Sequence, residues 1–201
     1  MRTACLLAGA LVHSSTALKP CVTRRGLAGL ATAAVAAPQL ARAADVLEIP
    51  PATTKMGGLL EKFFDTNRGF RLMKPTTWNK FDGEPGAYDV RFVDVVSPSE
   101  SVTLSTSAYG GGASIEDLAP VDKLGAKLAG ARGTLLSGRA RRSDSIVFYD
   151  YAFEGDGKRE LLTMCVHKGR LWQLAAKAPE AAWPKREALY LNVVGSFVPK
   201  L

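Results

Sequence analysis

The sequence predicts a single small α+β domain, a sheet of about five to seven strands with helices packed on it, behind a targeting segment. Three observations predict it. Residues 132–178 alternate apolar and polar positions between turn dipeptides, the pattern of an antiparallel meander. Two other stretches, beginning at Pro120 and at Trp183, repeat apolar residues at helical spacing. Residues 1–43 contain Arg2, Lys19, Arg24, Arg25 and Arg42 but no Asp or Glu, which is the composition of a targeting segment rather than of a packed domain.

That amino-terminal segment has two apolar runs. Ala4 to Val12 follows Met1-Arg2-Thr3, ends in Ser14-Ser15-Thr16-Ala17, and reads as a secretory-type signal. Thr23-Arg24-Arg25-Gly26-Leu27 opens a second, weakly apolar run that closes at Ala41-Arg42-Ala43. Paired Arg24 and Arg25 with an Ala41-x-Ala43 exit form a twin-arginine export signal. Neither run reaches the ~20 apolar residues of a spanning helix. Two signals in series suit a lumenal protein of an alga whose plastid has extra membranes; one bacterial twin-arginine signal with a ragged start is the alternative.

Without residues 1–43, 21 basic residues remain against 19 acidic ones, a net charge of only +2. A nucleic-acid partner would need a concentrated basic face. One dense cluster exists, Arg139, Arg141 and Arg142, and it reads either as a solvated strand edge or as a docking patch. Cys165 stands alone after residue 43, in an apolar run that marks it as buried filler.

Residues 44–68 read as a leader, stiffened by Pro50-Pro51 and loosened by Gly57-Gly58. In it Leu59, Leu60, Phe63 and Phe64 have helical spacing and predict a short amphipathic turn that folds back on the domain or docks on a partner. The domain itself is expected over 69–201. Gly69–Lys74 is a first strand, stopped by Pro75. Tyr88–Val96 is a second, with a phase shift at Val93-Asp94-Val95 that predicts a bulge. Ser101–Ser107 is a third. Gly110-Gly111-Gly112 lacks the Gly-Lys-Ser/Thr of a phosphate loop.

Ser114-Ile115-Glu116-Asp117 has the form of a helix start. The first long helix begins at Pro120, shows Val121, Leu124 and Leu128 on one face, and ends at Gly130. Val147, Tyr149, Tyr151 and Phe153 share one strand face. Asp156-Gly157 and Lys168-Gly169 mark hairpin turns. Trp183-Pro184 opens a last helix with Leu189, Tyr190, Val193, Val194 and Phe197 on one side.

Catalytic motifs are missing: no Gly-x-Ser-x-Gly, His-Glu-x-x-His or Cys-x-x-Cys occurs. His167, expected at a solvent-facing turn, is the one histidine after residue 43. Asp82 with Glu84, Glu116 with Asp117, and Glu154 with Asp156 read as loop or helix-start acids, and no EF-hand loop is present. Trp78, Tyr149, Tyr151, Trp172 and Trp183 are expected in the core rather than around a pigment.

From Gly69 to Phe197 the chain resembles the PsbP (oxygen-evolving enhancer) family. The resemblance rests on Gly69-Phe70-Arg71-Leu72-Met73-Lys74-Pro75 with Trp78-Asn79, on Arg91-Phe92-x-Asp94, on Ser114-Ile115-x-Asp117-Leu118, on Leu161-Leu162-Thr163 through Val166, Gly169, Leu171 and Trp172, and on Trp183. It implies an antiparallel sheet sandwiched between helices. It also implies a non-enzymatic extrinsic subunit, peripheral on the lumenal face of the thylakoid membrane. Its partners there would be the photosystem II core and the other extrinsic subunits. No cofactor would be held tightly, and calcium and chloride would be retained indirectly for water oxidation. PsbP-domain relatives imply the alternative of a lumenal assembly factor for photosystem I or II. Some plant members carry a His and an Asp proposed as a metal pair; Arg159 and Glu180 occupy those positions here. Arginine cannot ligate a metal at neutral pH, so the pair is expected to be absent and replaced by an Arg159–Glu180 ion pair worth at most ~1 kcal/mol.

Overall fold

The computed structural model describes residues 47–48, 51–83 and 86–200. In chain order the strands are β1 (Leu47–Glu48), β2 (Leu60–Asp65), β3 (Phe70–Pro75), β4 (Asn79–Asp82), β5 (Val90–Val93) and β6 (Ser101–Ala108). Helix α1 (Val121–Arg132) follows, then β7 (Thr134–Ser143), β8 (Ile146–Gly155), β9 (Lys158–His167), β10 (Arg170–Pro179) and helix α2 (Trp183–Gly195). Eight strands form one sheet in the order β1-β7-β8-β9-β10-β6-β5-β4, while β2 and β3 pair separately. Every pairing is antiparallel except that of β1 with β7.

Three two-residue turns set the register of the long strands. Asp144-Ser145, Asp156-Gly157 and Lys168-Gly169 all have positive φ at both positions, with values between 50° and 69°. That geometry matches the right-handed twist of the flanking strands. Register then fixes the faces, because side chains alternate along each strand. Val147, Tyr149, Tyr151 and Phe153 of β8 meet Val121 and Leu124 of α1 on one side. Ile146 and Phe148 join Cys165, Trp172 and Leu174 on the other, under α2 and the β2–β3 hairpin. The sheet is thus sandwiched between α1 and a second layer of α2 plus hairpin. Gly125 permits the close approach of α1: a Cβ there would lie 2.9 Å from the Tyr151 ring, whose hydroxyl donates to Val121 O at 2.9 Å.

Helix α1 begins at Val121 with Pro120 as its N-cap, and Ser114 and Asp117 form a reciprocal capping box on the preceding 3-10 turn. The helix does not end at Gly130. It runs to Arg132, where Gly133 at φ 104° turns the chain into β7. Only glycine adopts this φ cheaply, and a Cβ would sit 2.4 Å from Glu154 O. Gly133→Ala is therefore expected to cost about 2–3 kcal/mol, read as a lowered urea midpoint with unchanged slope. An unchanged midpoint would refute the strain argument.

Three further expectations are corrected. Residues 60–65 form a strand rather than a helical turn: Phe63 and Phe64 pair with Leu72 and Arg71 across the β2–β3 hairpin. Leu60 and Phe63 belong to the core, so the packed body begins ahead of Gly69. No bulge interrupts β5, which ends at Val93; the phase change there is a loop closed by Asp94 N–H to Glu100 O at 3.2 Å. The one register shift between β7 and β8 lies instead at Leu135 and Ser137. Strand β4 carries no apolar alternation, being exposed along its whole length, and escaped the sequence reading for that reason.

Candidate functional site

Two polar constructions shape the α2 side of the sheet. The first holds the 94–100 loop against the helix. Asp94 and Glu100 are both buried, and Arg186 of α2 bridges them at 3.3 and 3.2 Å. Tyr190, one helical turn on, donates to Glu100 Oε2 at 2.7 Å and stacks on Trp183 with ring centroids 5.3 Å apart. Burial, followed by the hydrogen bond to the Glu100 carboxylate, pushes the Tyr190 phenol well above the usual range. Val96 N–H donates to Asp94 Oδ1 at 3.0 Å, so the loop is fixed at its base while Val95 and Val96 point outward, Val96 being 89% exposed.

The second construction is a buried cation. Arg141 is 2% exposed, although the sequence places it in a basic run expected at a solvated edge or a docking patch. Its guanidinium lies 4.2 Å from the Phe148 ring centroid, across the strand pair that aligns the two residues. Nε donates to Asp150 Oδ2 at 2.8 Å. Thr163, the β9 partner of Asp150, donates to the other carboxylate oxygen. The run therefore divides: Arg141 goes inward, while Arg139 stays exposed and reaches Asp150 only at 3.4 Å. Only the position of Asp150 across β7–β8 could have signalled this, and that needs the register.

The residues at the metal-pair positions do not meet. Arg159 pairs with Glu154 at 3.0 Å on the neighbouring strand, not with Glu180. Glu180 is exposed in a 3-10 turn, its own N–H donating to Gly157 O at 2.9 Å. The expected Arg159–Glu180 pair is thus replaced by a local Arg159–Glu154 pair, because cross-strand register brings Glu154 directly opposite Arg159. Arg24, Arg25, Ala41 and Ala43 lie outside the described residues.

The nucleophile and base candidates are separated from any reactive arrangement. Cys165 is fully buried, and burial raises its thiol far above the ordinary range. His167 is half-buried rather than solvent-facing, with its Nε2 enclosed and without a hydrogen-bond partner. Burial lowers its pKa, and Lys168 and Lys200 lower it further. The folded protein thus resists protonation where the unfolded chain accepts it. Stability contributed by neutral His167 is present above about pH 6.5 and lost as pH falls below it. His167→Gln should flatten the fall in urea midpoint between about pH 7.5 and 5.5; an unchanged slope in that interval would count against the burial argument.

An open pocket of about 450 Å³ lies on the outer face of the hairpin, lined by Ala52, Lys62, Phe64, Arg71, Met73 and Asp144. Among the described residues no group of three or more His, Cys, Asp or Glu side chains gathers as a metal site would require. The buried carboxylates face cations: Asp65 faces Arg68, Asp94 and Glu100 face Arg186, and Glu160 faces Arg132 and Lys177; the partly buried Asp150 faces Arg141. Such pairing compensates the buried charges and suits structural rigidity.

This sheet, its two layers and its loop chemistry can be set beside known proteins. The PsbP family model matches residues 58–198, which begins just ahead of β2 and ends at the Val198 bridge to β3.

The chain belongs to the PsbP family.

CyanoP of Thermosynechococcus vestitus is 26% identical over 156 residues, covering 69% of this chain and 85% of that protein. The chloroplastic PsbP domain-containing protein 7 of Arabidopsis thaliana is 27% identical over 122 residues, covering 57% of this chain but only 44% of that longer relative. The solution structure of cyanobacterial PsbP (CyanoP) from Synechocystis sp. PCC 6803 superposes with a TM-score of 0.59 at 22% identity, covering 69% of this chain and 91% of that one. The α+β sandwich is thus the fold of CyanoP, as the sequence resemblance implies. The matched interval also takes in β2, which the sequence reading assigned to a leader.

Proposed function

We propose that this chain is an extrinsic, non-catalytic subunit on the lumenal face of photosystem II, supporting water oxidation by helping retain calcium and chloride. The observation that carries the reading is a PsbP-family match over residues 58–198, β2 through α2, behind a twin-arginine presequence read at Arg24, Arg25, Ala41 and Ala43. The geometry supports a rigid cap better than a catalyst: the buried carboxylates face cations and Cys165 is sealed in the core. A cap over a small-ion site slows ion loss without ligating the ion itself. Calcium and chloride dependence is accordingly indirect, with Arg159 and Glu180 binding no metal. Tight zinc or manganese binding that disappears in Glu180→Ala would overturn that part.

The location proposed is the plastid thylakoid lumen, peripheral to the membrane, in an alga with a multi-membrane plastid. The test is fractionation of thylakoids. The protein should co-purify with photosystem II, leave on a salt wash with loss of oxygen evolution, and restore activity when returned with calcium and chloride. Absence from purified photosystem II overturns the reading. A second reading, a lumenal assembly factor for photosystem I or II, is favoured by the similarity to a PsbP domain-containing protein. It predicts abundance in assembly intermediates and scarcity in mature complexes.

A further inference from the structure

The two edges of the main sheet differ. At the β7 edge, β1 pairs with Arg141 and Arg142. At the other, among the described residues, β4 has a neighbour only on its β5 side. All four β4 residues are exposed, and Phe81 is 49% exposed. A bare strand edge is a template for another strand.

The ladder tells which β4 groups are unused. Gly83 N–H donates to Asp89 O at 3.0 Å, in the same register as Phe81 with Arg91 and Asn79 with Val93. Bonded and non-bonded pairs alternate in an antiparallel ladder, so the amides and carbonyls of Asn79 and Phe81 face β5. Those of Lys80 and Asp82 point outward, off the sheet.

We propose that β4 pairs with β4 of a second copy of this chain, antiparallel, across a two-fold axis at Phe81. Outward groups must meet outward groups. Lys80 opposite Lys80 sets like charges against each other, as does Asp82 opposite Asp82, and both are destabilising. Lys80 opposite the second copy's Asp82 satisfies the same hydrogen-bond pattern, with opposite charges facing and repeated by symmetry. It forms four backbone hydrogen bonds and brings the two Phe81 rings together in the close, non-bonded pair at the axis. Within one chain Lys80 and Asp82 lie 3.1 Å apart on one face, Asp82 also meeting Arg68 at 3.1 Å and Lys80 lying over the Phe63 ring, so re-aiming the pair across the strand boundary exchanges exposed contacts for symmetric ones. A lysine on an edge usually blocks pairing; here Asp82 answers it. The edge is short, so the dimer is reversible and concentration-dependent.

Analytical ultracentrifugation of the full chain from about 1 μM to about 1 mM tests this, with circular dichroism confirming that each variant is folded. The wild type should dimerise with concentration. Lys80→Asp and Asp82→Lys should each weaken the dimer about tenfold or more, because like charges then face each other twice. Combining the two changes restores the complementary register and should recover dimerisation, which no partner other than a second copy would produce. Phe81→Glu should abolish it. A monomer throughout the range, or a dimer indifferent to these changes, overturns the proposal.

Discussion

Asp150→Ala is expected to destabilise the protein by about 3–5 kcal/mol, because it strands a buried guanidinium. Arg141 is the largest fully buried side chain of the described residues, and its one ionic partner within 4 Å is Asp150. Its Nη1 already lacks a hydrogen-bond partner, and its Nη2 reaches Val194 O only at 3.5 Å. The Phe148 ring at 4.2 Å adds a cation–π contact but cannot replace a carboxylate. Removing the carboxylate leaves the charge without compensation beneath α2, and Thr163 loses its acceptor as well. Asp150→Asn, which keeps the shape and one acceptor, should cost less.

The cycle is closed by Arg141→Met combined with Asp150→Leu. Replacing both members of a buried ion pair by apolar groups is often neutral or stabilising. The double variant should therefore be more stable than Asp150→Ala alone, measured by urea unfolding with the slope checked for two-state behaviour. If Asp150→Ala changes the midpoint by less than 1 kcal/mol (on the order of a surface change), the pair is not the buried contact described above.

The second large effect is expected at Phe197. This residue follows α2 and is fully buried where the helix, the hairpin and the sheet meet. Its ring centroid lies 6.3 Å from Phe70, 6.4 Å from Phe148 and 6.1 Å from Trp172. Phe197→Ala should cost about 3–5 kcal/mol through lost burial and the cavity left behind. The loss has a structural address. Ser196 accepts from Met73 N–H at 2.7 Å, and Val198 exchanges two backbone hydrogen bonds with Arg71, both at 2.9 Å. The β2–β3 hairpin hangs on this corner, so its amides should lose hydrogen-exchange protection first. Leu191→Ala on the exposed side of α2, at 46% exposure, should shift stability by no more than about 0.5 kcal/mol and serves as the control. Equal costs for the two would remove the argument that Phe197 is the anchor.

These two sites mark a boundary in what a sequence can say. Helical spacing predicts that Phe197 is buried on the last helix; it is buried, but α2 ends at Gly195 and Phe197 lies in the segment after it. Leu189, Tyr190, Val193 and Val194 are buried on α2 itself, and the Val147–Phe153 face of β8 is buried too. Two of the three two-residue turns are readable from Asp156-Gly157 and Lys168-Gly169. In each case the signal lies within a few residues, since helix period, strand alternation and turn chemistry are local. The β2 strand failed the same test for a physical reason: Leu59, Leu60, Phe63 and Phe64 fit a helical stripe, and only pairing with β3 makes them a strand.

The site chemistry was less legible than the fold. Arg159 was assigned Glu180 as its partner by position, but the ladder set Glu154 opposite it. Arg141 sat in a run of arginines with nothing local to mark it as buried. Alone, the sequence determined an α+β domain, two of the two-residue turns and the buried helix faces, because each follows from spacing along the chain. Only the tertiary structure decided which arginine went into the core, which cation each buried carboxylate faces and which strand stands at the sheet edge among the described residues, because each depends on what another strand brings alongside.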